Sequence, residues 1–104
     1  MAKDRILIVD DERDMRELLE IMLRKEGYEP VGLPSAKLAL DRLKNEEFDL
    51  VISDVRMPVM DGLDFLKALR EGNPEALVIM ITAYASVETA IEAMKAGAHD
   101  YFIK

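Results

Sequence analysis

The chain has 104 residues, half of them hydrophobic, which suits one small α/β domain and leaves no room for a second. Its 21 acidic and 14 basic side chains give a net charge of −7, so the chain alone has no basic surface for nucleic acid or an anionic membrane. It contains no cysteine, no apolar run near the roughly 20 residues of a membrane span and no signal peptide, so we expect a cytoplasmic protein without membrane contact.

The first half of the chain is predicted to form strand, helix, strand and helix. Ile6–Val9 is apolar at every position, as expected for a strand with helices on both faces. The predicted helix Arg13–Lys25 has one apolar face at helical spacing. Its members are Met15, Leu18, Leu19 and Met22. Tyr28–Leu33 is a weaker strand and an edge strand, because Pro30 cannot donate to a ladder, and Ser35 is the expected N-cap of the second helix.

The second half continues the alternation. Phe48–Ser53 is the third predicted strand, and Asp61 is the expected cap of the third helix. Leu77–Ile81 is the fourth strand, Ser86 begins the fourth helix, and Tyr101–Ile103 is the fifth strand. The apolar face of the third helix consists of Phe65, Leu66 and Leu69, and that of the fourth helix consists of Val87, Ala90, Ile91 and Met94.

Strands that alternate with helices in this way predict right-handed βαβ units, and therefore an open parallel sheet covered on both sides. A five-stranded domain of this type would normally continue into another helix after the fifth strand. The sequence ends at Lys104, so we expect one domain, residues 1–104, that lacks this last helix.

Polar side chains stand at the carboxyl ends of four predicted strands, at Asp10, Asp11, Asp54, Thr82 and Lys104. In an open parallel sheet these ends form one edge, where ligands bind. Mg²⁺ prefers oxygen ligands and bridges carboxylates to phosphate, and lysine and threonine side chains suit phosphoryl oxygens. The pattern predicts phosphoryl transfer in which an aspartate carboxylate attacks.

Four ordered blocks of the sequence resemble the receiver domains of bacterial two-component response regulators. They are Val9-Asp10-Asp11-Glu12, Ser53-Asp54-Val55-Arg56-Met57-Pro58-Val59-Met60-Asp61-Gly62, Ile81-Thr82-Ala83-Tyr84 and Tyr101-Phe102-Ile103-Lys104. The stretch 79–98 is most similar to receivers of the nitrogen-regulatory type, which precede an ATPase that activates an alternative sigma factor. The resemblance implies a flavodoxin-like doubly wound sheet in the strand order 2-1-3-4-5, here without the final helix.

The resemblance also implies the roles of the acids. Asp54 would accept a phosphoryl group from a histidine kinase. Asp10, Asp11 and Asp54, with the backbone carbonyl of Arg56, would hold Mg²⁺.

Three further roles are implied by the same likeness. Thr82 and Lys104 would contact the phosphoryl oxygens, and Tyr101 would turn inward as Thr82 moves toward the phosphate. Arg56 and Tyr84 flank the site at positions that tune how fast the phosphoryl group is hydrolysed.

The implied protein is a signalling module that catalyses its own phosphorylation and dephosphorylation, not a turnover enzyme. Its expected partners are a histidine kinase and an output domain outside this chain that regulates transcription. Without the last helix, apolar side chains beside the first helix should be exposed. We expect homodimer contacts through this bare face, the fourth helix or the fifth strand.

Two alternatives stay open. A small Mg²⁺-dependent phosphatase of the aspartyl-phosphate type would need a second aspartate two residues after the nucleophile, where this chain has Arg56. The other alternative is a binding module on the same fold that is never phosphorylated, or a scaffold borrowed for design. The complete set of acceptor, acid pair, threonine and lysine argues against it.

Overall fold

The computed structural model describes residues 4–57, 59–83 and 86–103. The described residues form five strands, namely β1 (Arg5–Val9), β2 (Glu29–Leu33), β3 (Leu50–Asp54), β4 (Val78–Thr82) and β5 (Asp100–Ile103). They also form four helices, α1 (Arg13–Lys25), α2 (Ala36–Leu43), α3 (Gly62–Gly72) and α4 (Val87–Lys95). The strands make one parallel sheet in the order β2-β1-β3-β4-β5. The predicted fold class and strand order are confirmed.

The helices lie on the two faces of this sheet. α2, α3 and α4 contact one another in succession, whereas α1 packs mainly on β2 and β1. Right-handed crossovers place α1 on the opposite face from the other three, because the chain runs from β1 to β2 in the reverse direction along the sheet. No helix among the described residues is both long and apolar enough to cross a bilayer.

The predicted helix caps are present. The side chain of Ser35 accepts a hydrogen bond from the backbone of α2, and Asp61 and Ser86 do the same for α3 and α4. Each cap satisfies one backbone N–H that has no partner inside its helix. Local chemistry alone therefore fixes where these three helices begin.

The core lies between the sheet and the α2, α3 and α4 layer. Its largest fully buried apolar side chains are Leu7, Val9, Val51, Phe65, Leu66, Leu69, Val78 and Met80. The other layer is less covered, because Leu18 and Met22 of α1 are 52% and 53% exposed. In α4 it is Ala93 that is buried, while Ile91 and Met94 of the predicted apolar face are about half exposed.

Arg5 joins the amino ends of the strands. Its backbone N–H donates to the Asp49 carboxylate at 2.7 Å, and its guanidinium stacks over the Phe48 ring, 4.5 Å from the centroid. The same guanidinium forms ion pairs with Glu29 and Glu46 at 3.9 and 3.6 Å. These contacts hold the edge of the sheet opposite to the predicted site.

Candidate functional site

Two buried carboxylates lie side by side at the carboxyl edge of the sheet. Asp54 is the last residue of β3, and Asp10 follows directly after β1. β1 and β3 are neighbours, with Val9 paired to Ser53, so the register sets Asp10 beside Asp54. Asp10 is fully buried and Asp54 is 4% exposed. The sequence prediction put Asp54 just after its strand, whereas the strand includes it.

A backbone turn orients each of these carboxylates. Oδ1 of Asp10 accepts a hydrogen bond from the N–H of Glu12 at 2.9 Å, and Oδ1 of Asp54 accepts one from the N–H of Arg56 at 3.1 Å. Both are turns in which an aspartate side chain binds the backbone two residues later. The two acids are thus held in matching ways at the ends of adjacent strands.

The described acids include one group that could share a metal ion. Carboxylate oxygens of Asp10, Glu12 and Asp54 all lie within 4.8 Å of one another. Glu12 joins the group because the turn at Asp10 folds its backbone back over that carboxylate. Asp11, which was predicted to be a ligand, is exposed and is not in this group, so its role stays a prediction.

The acids are supported by residues that the sequence did not single out. Arg16 of α1 donates from Nη1 to the Asp10 carbonyl at 2.7 Å. The fully buried Ser53 donates from Oγ to the Asp54 carbonyl at 3.0 Å. Arg16 lies about one helical turn after the start of α1. This basic residue so soon after the acidic block Asp10-Asp11-Glu12 is the sequence signal that could have identified Arg16 as a support of the site.

The loop after β3 closes tightly over the strand end at Gly62. The Gly62 N–H donates to the Val55 carbonyl at 2.8 Å. A Cβ at Gly62 would lie only 2.0 Å from the carbonyl oxygen of Asp54 and 2.8 Å from Cα of Val55. Only glycine permits this approach without a shift of the backbone that carries Asp54.

Thr82 lies on the next strand. It is fully buried and is the last residue of β4, one position beyond the residue that pairs with Asp54. Tyr101 of β5 pairs with Met80 and is half-buried against the core. Its hydroxyl lies 2.9 Å from Oγ1 of Thr89. The structure thus brings Asp10, Asp54 and Thr82 to one edge.

Arg56 has an exposed side chain next to this edge, and its predicted contribution of a carbonyl ligand stays a prediction. Two other predicted residues, Tyr84 and Lys104, lie outside the described residues.

The chain matches known proteins over nearly its whole length. Residues 6–104 match the family described as response regulator receiver domain. The transcriptional regulatory protein ZraR of Escherichia coli (strain K12) is 46% identical over 99 residues, which are 95% of this chain and 22% of that protein. The chain therefore spans about a fifth of the length of this relative.

Two solved structures have the same fold. The response regulator TrrA of Thermotoga maritima, in complex with Mg²⁺-BeF, has a TM-score of 0.89 and 37% identity, covering 97% of this chain and 86% of TrrA. The beryllofluoride-activated NtrC4 receiver domain dimer has a TM-score of 0.91 and 37% identity, covering 96% of this chain and 83% of that one. The expected likeness to receivers of the nitrogen-regulatory type is confirmed.

Proposed function

The chain belongs to the response regulator receiver domain family, and from this premise we propose that Asp54 accepts a phosphoryl group from a histidine kinase and so switches an output domain. The observation that carries the proposal is the buried Asp54 carboxylate at the end of β3, within 4.8 Å of two further acids. An isolated strand-end acid would need no such neighbours. A shared cation explains why they are together.

The donor set fits Mg²⁺. The side chains of Asp10, Glu12 and Asp54 offer only carboxylate oxygens, the hard ligands that this ion prefers. Negative charges this close repel one another, and a bound divalent cation would offset that repulsion. Asp10, Asp11, Asp54 and the Arg56 carbonyl would hold the ion, whose charge would offset the negative charge of the phosphoryl group. TrrA, which binds Mg²⁺-BeF, supports the assignment by similarity.

The proposed reaction is a phosphoryl transfer between side chains. One carboxylate oxygen of Asp54 attacks phosphorus, a P–O bond forms, and the P–N bond to the kinase histidine breaks as the imidazole leaves. Thr82 and Lys104 would donate hydrogen bonds to the phosphoryl oxygens. The position of Thr82 at the end of β4, next to the strand of Asp54, supports its part.

The proposed switch runs from Thr82 to Tyr101 and on to the surface of α4 and β5. That surface exposes apolar side chains, since Val87 is 76% and Ile103 is 69% exposed. Such a patch is typical of an interaction surface. We assign it to the output domain or to a second copy of the chain. The exposed apolar side chains of α1, Leu18, Ile21 and Met22, are the alternative site of self-association. The NtrC4 receiver dimer supports self-association by similarity.

We propose that the whole protein regulates transcription, as the transcriptional regulatory protein ZraR is named for doing. The domain would catalyse its own phosphorylation and dephosphorylation by positioning and charge, without turning over other substrates. A phosphatase of the aspartyl-phosphate type is disfavoured by the exposed Arg56 in place of a second aspartate. The cytoplasmic location expected from the sequence stays a prediction.

The test is incubation with Mg²⁺ and acetyl phosphate, followed by intact-mass measurement. One added phosphoryl mass is expected, and Asp54→Asn should abolish it. Asp41→Asn, which changes an exposed acid on α2, is the control and should leave it unchanged. A chain that gains no phosphoryl group, or gains it in Asp54→Asn, would overturn the proposal.

A further inference from the structure

Two hydroxyl side chains close the amino end of α4. Oγ of Ser86 accepts a hydrogen bond from the N–H of Thr89 at 3.1 Å, and the N–H of Ser86 donates to Oγ1 of Thr89 at 3.2 Å. This reciprocal pair is a capping box, which satisfies two backbone donors. The orientation of the Thr89 hydroxyl is therefore set by the helix end itself.

The same hydroxyl reaches a residue on another element. Oγ1 of Thr89 lies 2.9 Å from the hydroxyl of Tyr101 on β5. Thr89 and Tyr101 are both half-buried, and the Tyr101 ring packs against the core. A single oxygen thus connects the first turn of α4 with the aromatic ring of β5.

The hydrogen atoms available determine which group donates. A threonine hydroxyl has one proton and two lone pairs. Oγ1 of Thr89 gives its proton to the Ser86 carbonyl at 3.1 Å and accepts the Ser86 N–H with one lone pair. One lone pair is left for either Tyr101 or Oγ of Ser86, which lies 3.0 Å away. Ser86 is exposed and can donate to water, so Tyr101 is the donor in the arrangement that keeps the Thr89 proton on the Ser86 carbonyl.

We propose that Thr89 is a positioning residue which holds Tyr101 against the amino end of α4 until the domain is phosphorylated. The inference rests on the proposed function, in which Tyr101 turns when Thr82 moves. Tyr101 cannot turn away while its hydroxyl is hydrogen-bonded to Oγ1 of Thr89, unless the first turn of α4 moves with it. The helix cap therefore opposes the movement of Tyr101 that the switch requires.

Four variants separate this role from simple helix capping. Thr89→Val keeps the shape but removes the hydroxyl, and Thr89→Ser restores it. Tyr101→Phe removes only the phenolic donor, and the lone pair it frees on Thr89 can accept from Oγ of Ser86. Ser86→Ala weakens the cap but keeps the backbone N–H and the bond between Thr89 and Tyr101, so it is the matched control.

Beryllofluoride stands in for the phosphoryl group and is titrated into the full 104-residue chain in the presence of Mg²⁺. Amide NMR shifts follow the titration and give the beryllofluoride concentration at half-saturation. Thr89→Val and Tyr101→Phe should each lower it about three- to tenfold, the effect of losing one resting-state hydrogen bond. The double variant should lower the half-saturating concentration no more than either single variant does, because both substitutions remove the same bond. Thr89→Ser and Ser86→Ala should match the wild type.

Other results overturn the inference. Unchanged binding in Thr89→Val and Tyr101→Phe would show that the bond is the same in both states, and weaker binding would show that it favours the beryllofluoride-bound state. Additive effects in the double variant would show that the two hydroxyls act separately, and a shift in Ser86→Ala equal to that in Thr89→Val would reduce Thr89 to a capping residue. A wild-type chain that does not respond to beryllofluoride with Mg²⁺ would overturn the proposed function as well.

Discussion

Arg70 and Gly97 are joined by a hydrogen bond in which Nε of Arg70 donates to the Gly97 carbonyl at 3.1 Å. The same guanidinium donates to the carbonyls of Pro74, at 3.2 Å, and Ala76. Gly97 has φ +103°, and a Cβ there would lie 2.6 Å from the Arg70 Nε. One planar side chain thus ties the end of α3 and the turn before β4 to the turn after α4.

Arg70→Lys should lower the free energy of unfolding by about 1–3 kcal/mol, because a lysine keeps the charge but cannot present several donors in one plane to these carbonyls. Urea denaturation measures the change. Arg42→Lys is the control, since solvent screens the ion pair of Arg42 with Glu46 and the loss should be smaller than in Arg70→Lys. Equal losses in the two variants would contradict the role given to Arg70.

Gly62→Ala should destabilise the domain by roughly 1–3 kcal/mol and also weaken Mg²⁺ binding, because the new Cβ would push on the backbone of Asp54. Denaturation and a Mg²⁺ titration of the folded variant measure the two effects. Gly72→Ala is the matched control at the other end of α3, where no described atom lies within 4 Å of a new Cβ. A Gly62→Ala variant as stable as Gly72→Ala would rule out the close packing described.

Asp10→Asn should raise the Mg²⁺ concentration needed for half-saturation by about tenfold or more, since it removes a buried anionic ligand. Isothermal titration calorimetry measures this concentration, and Asp14→Asn, which changes an exposed acid, serves as the control.

In the same series Asp11→Asn should weaken Mg²⁺ binding more than Glu12→Gln, because the shorter aspartate side chain loses less rotamer freedom when it binds the ion. The reverse order would transfer the ligand role to Glu12.

The double substitution Arg56→Asn, Tyr84→Ala should shorten the lifetime of the phosphorylated state, because the bulky pair would obstruct the incoming water. The exposed side chain of Arg56 next to Asp54 is placed for this. Decay of the phosphorylated protein, followed by intact mass over time, gives the rate. Lys67→Asn, which removes a distant exposed cation, should decay like the wild type. Equal or slower decay in the double variant would refute the idea.

Ile91→Glu should reduce self-association of the beryllofluoride-bound chain, because it puts a charge into the apolar surface of α4. Ile21→Glu places the same charge among the exposed apolar side chains of α1, where Ile21 is 52% exposed. Sedimentation velocity compares the two variants with the wild type. Loss of the dimer only in Ile21→Glu would move the contact to α1, and a wild-type monomer would exclude both faces.

Much of the fold could be predicted because its signals are local. Ser35, Asp61 and Ser86 mark helix starts through bonds made within three residues, and the apolar strands show their burial directly. The edge position of β2 followed from Pro30. These features need no knowledge of what lies across the fold.

The parts that the sequence did not reveal depend on tertiary contacts. Glu12 joins the acids through a turn of the backbone at Asp10, which a count of carboxylates does not disclose. The spacing from Ser86 to Thr89 is visible as a capping box, but its link to Tyr101 needs α4 and β5 side by side. Exposure of Ile91 and Met94 likewise depends on which face of α4 meets the sheet.

The ion pairs of Arg5 give the two ends of the sheet different sensitivities to the solvent. Partly exposed ion pairs weaken as added monovalent salt shortens the Debye length, which is about 8 Å at physiological ionic strength. The opposite end, by contrast, should respond to millimolar divalent ion through Asp10 and Asp54. Potassium chloride and magnesium chloride should therefore act at opposite ends of one β-sheet. The amide signals near Asp49 and near Asp54 report the two effects separately.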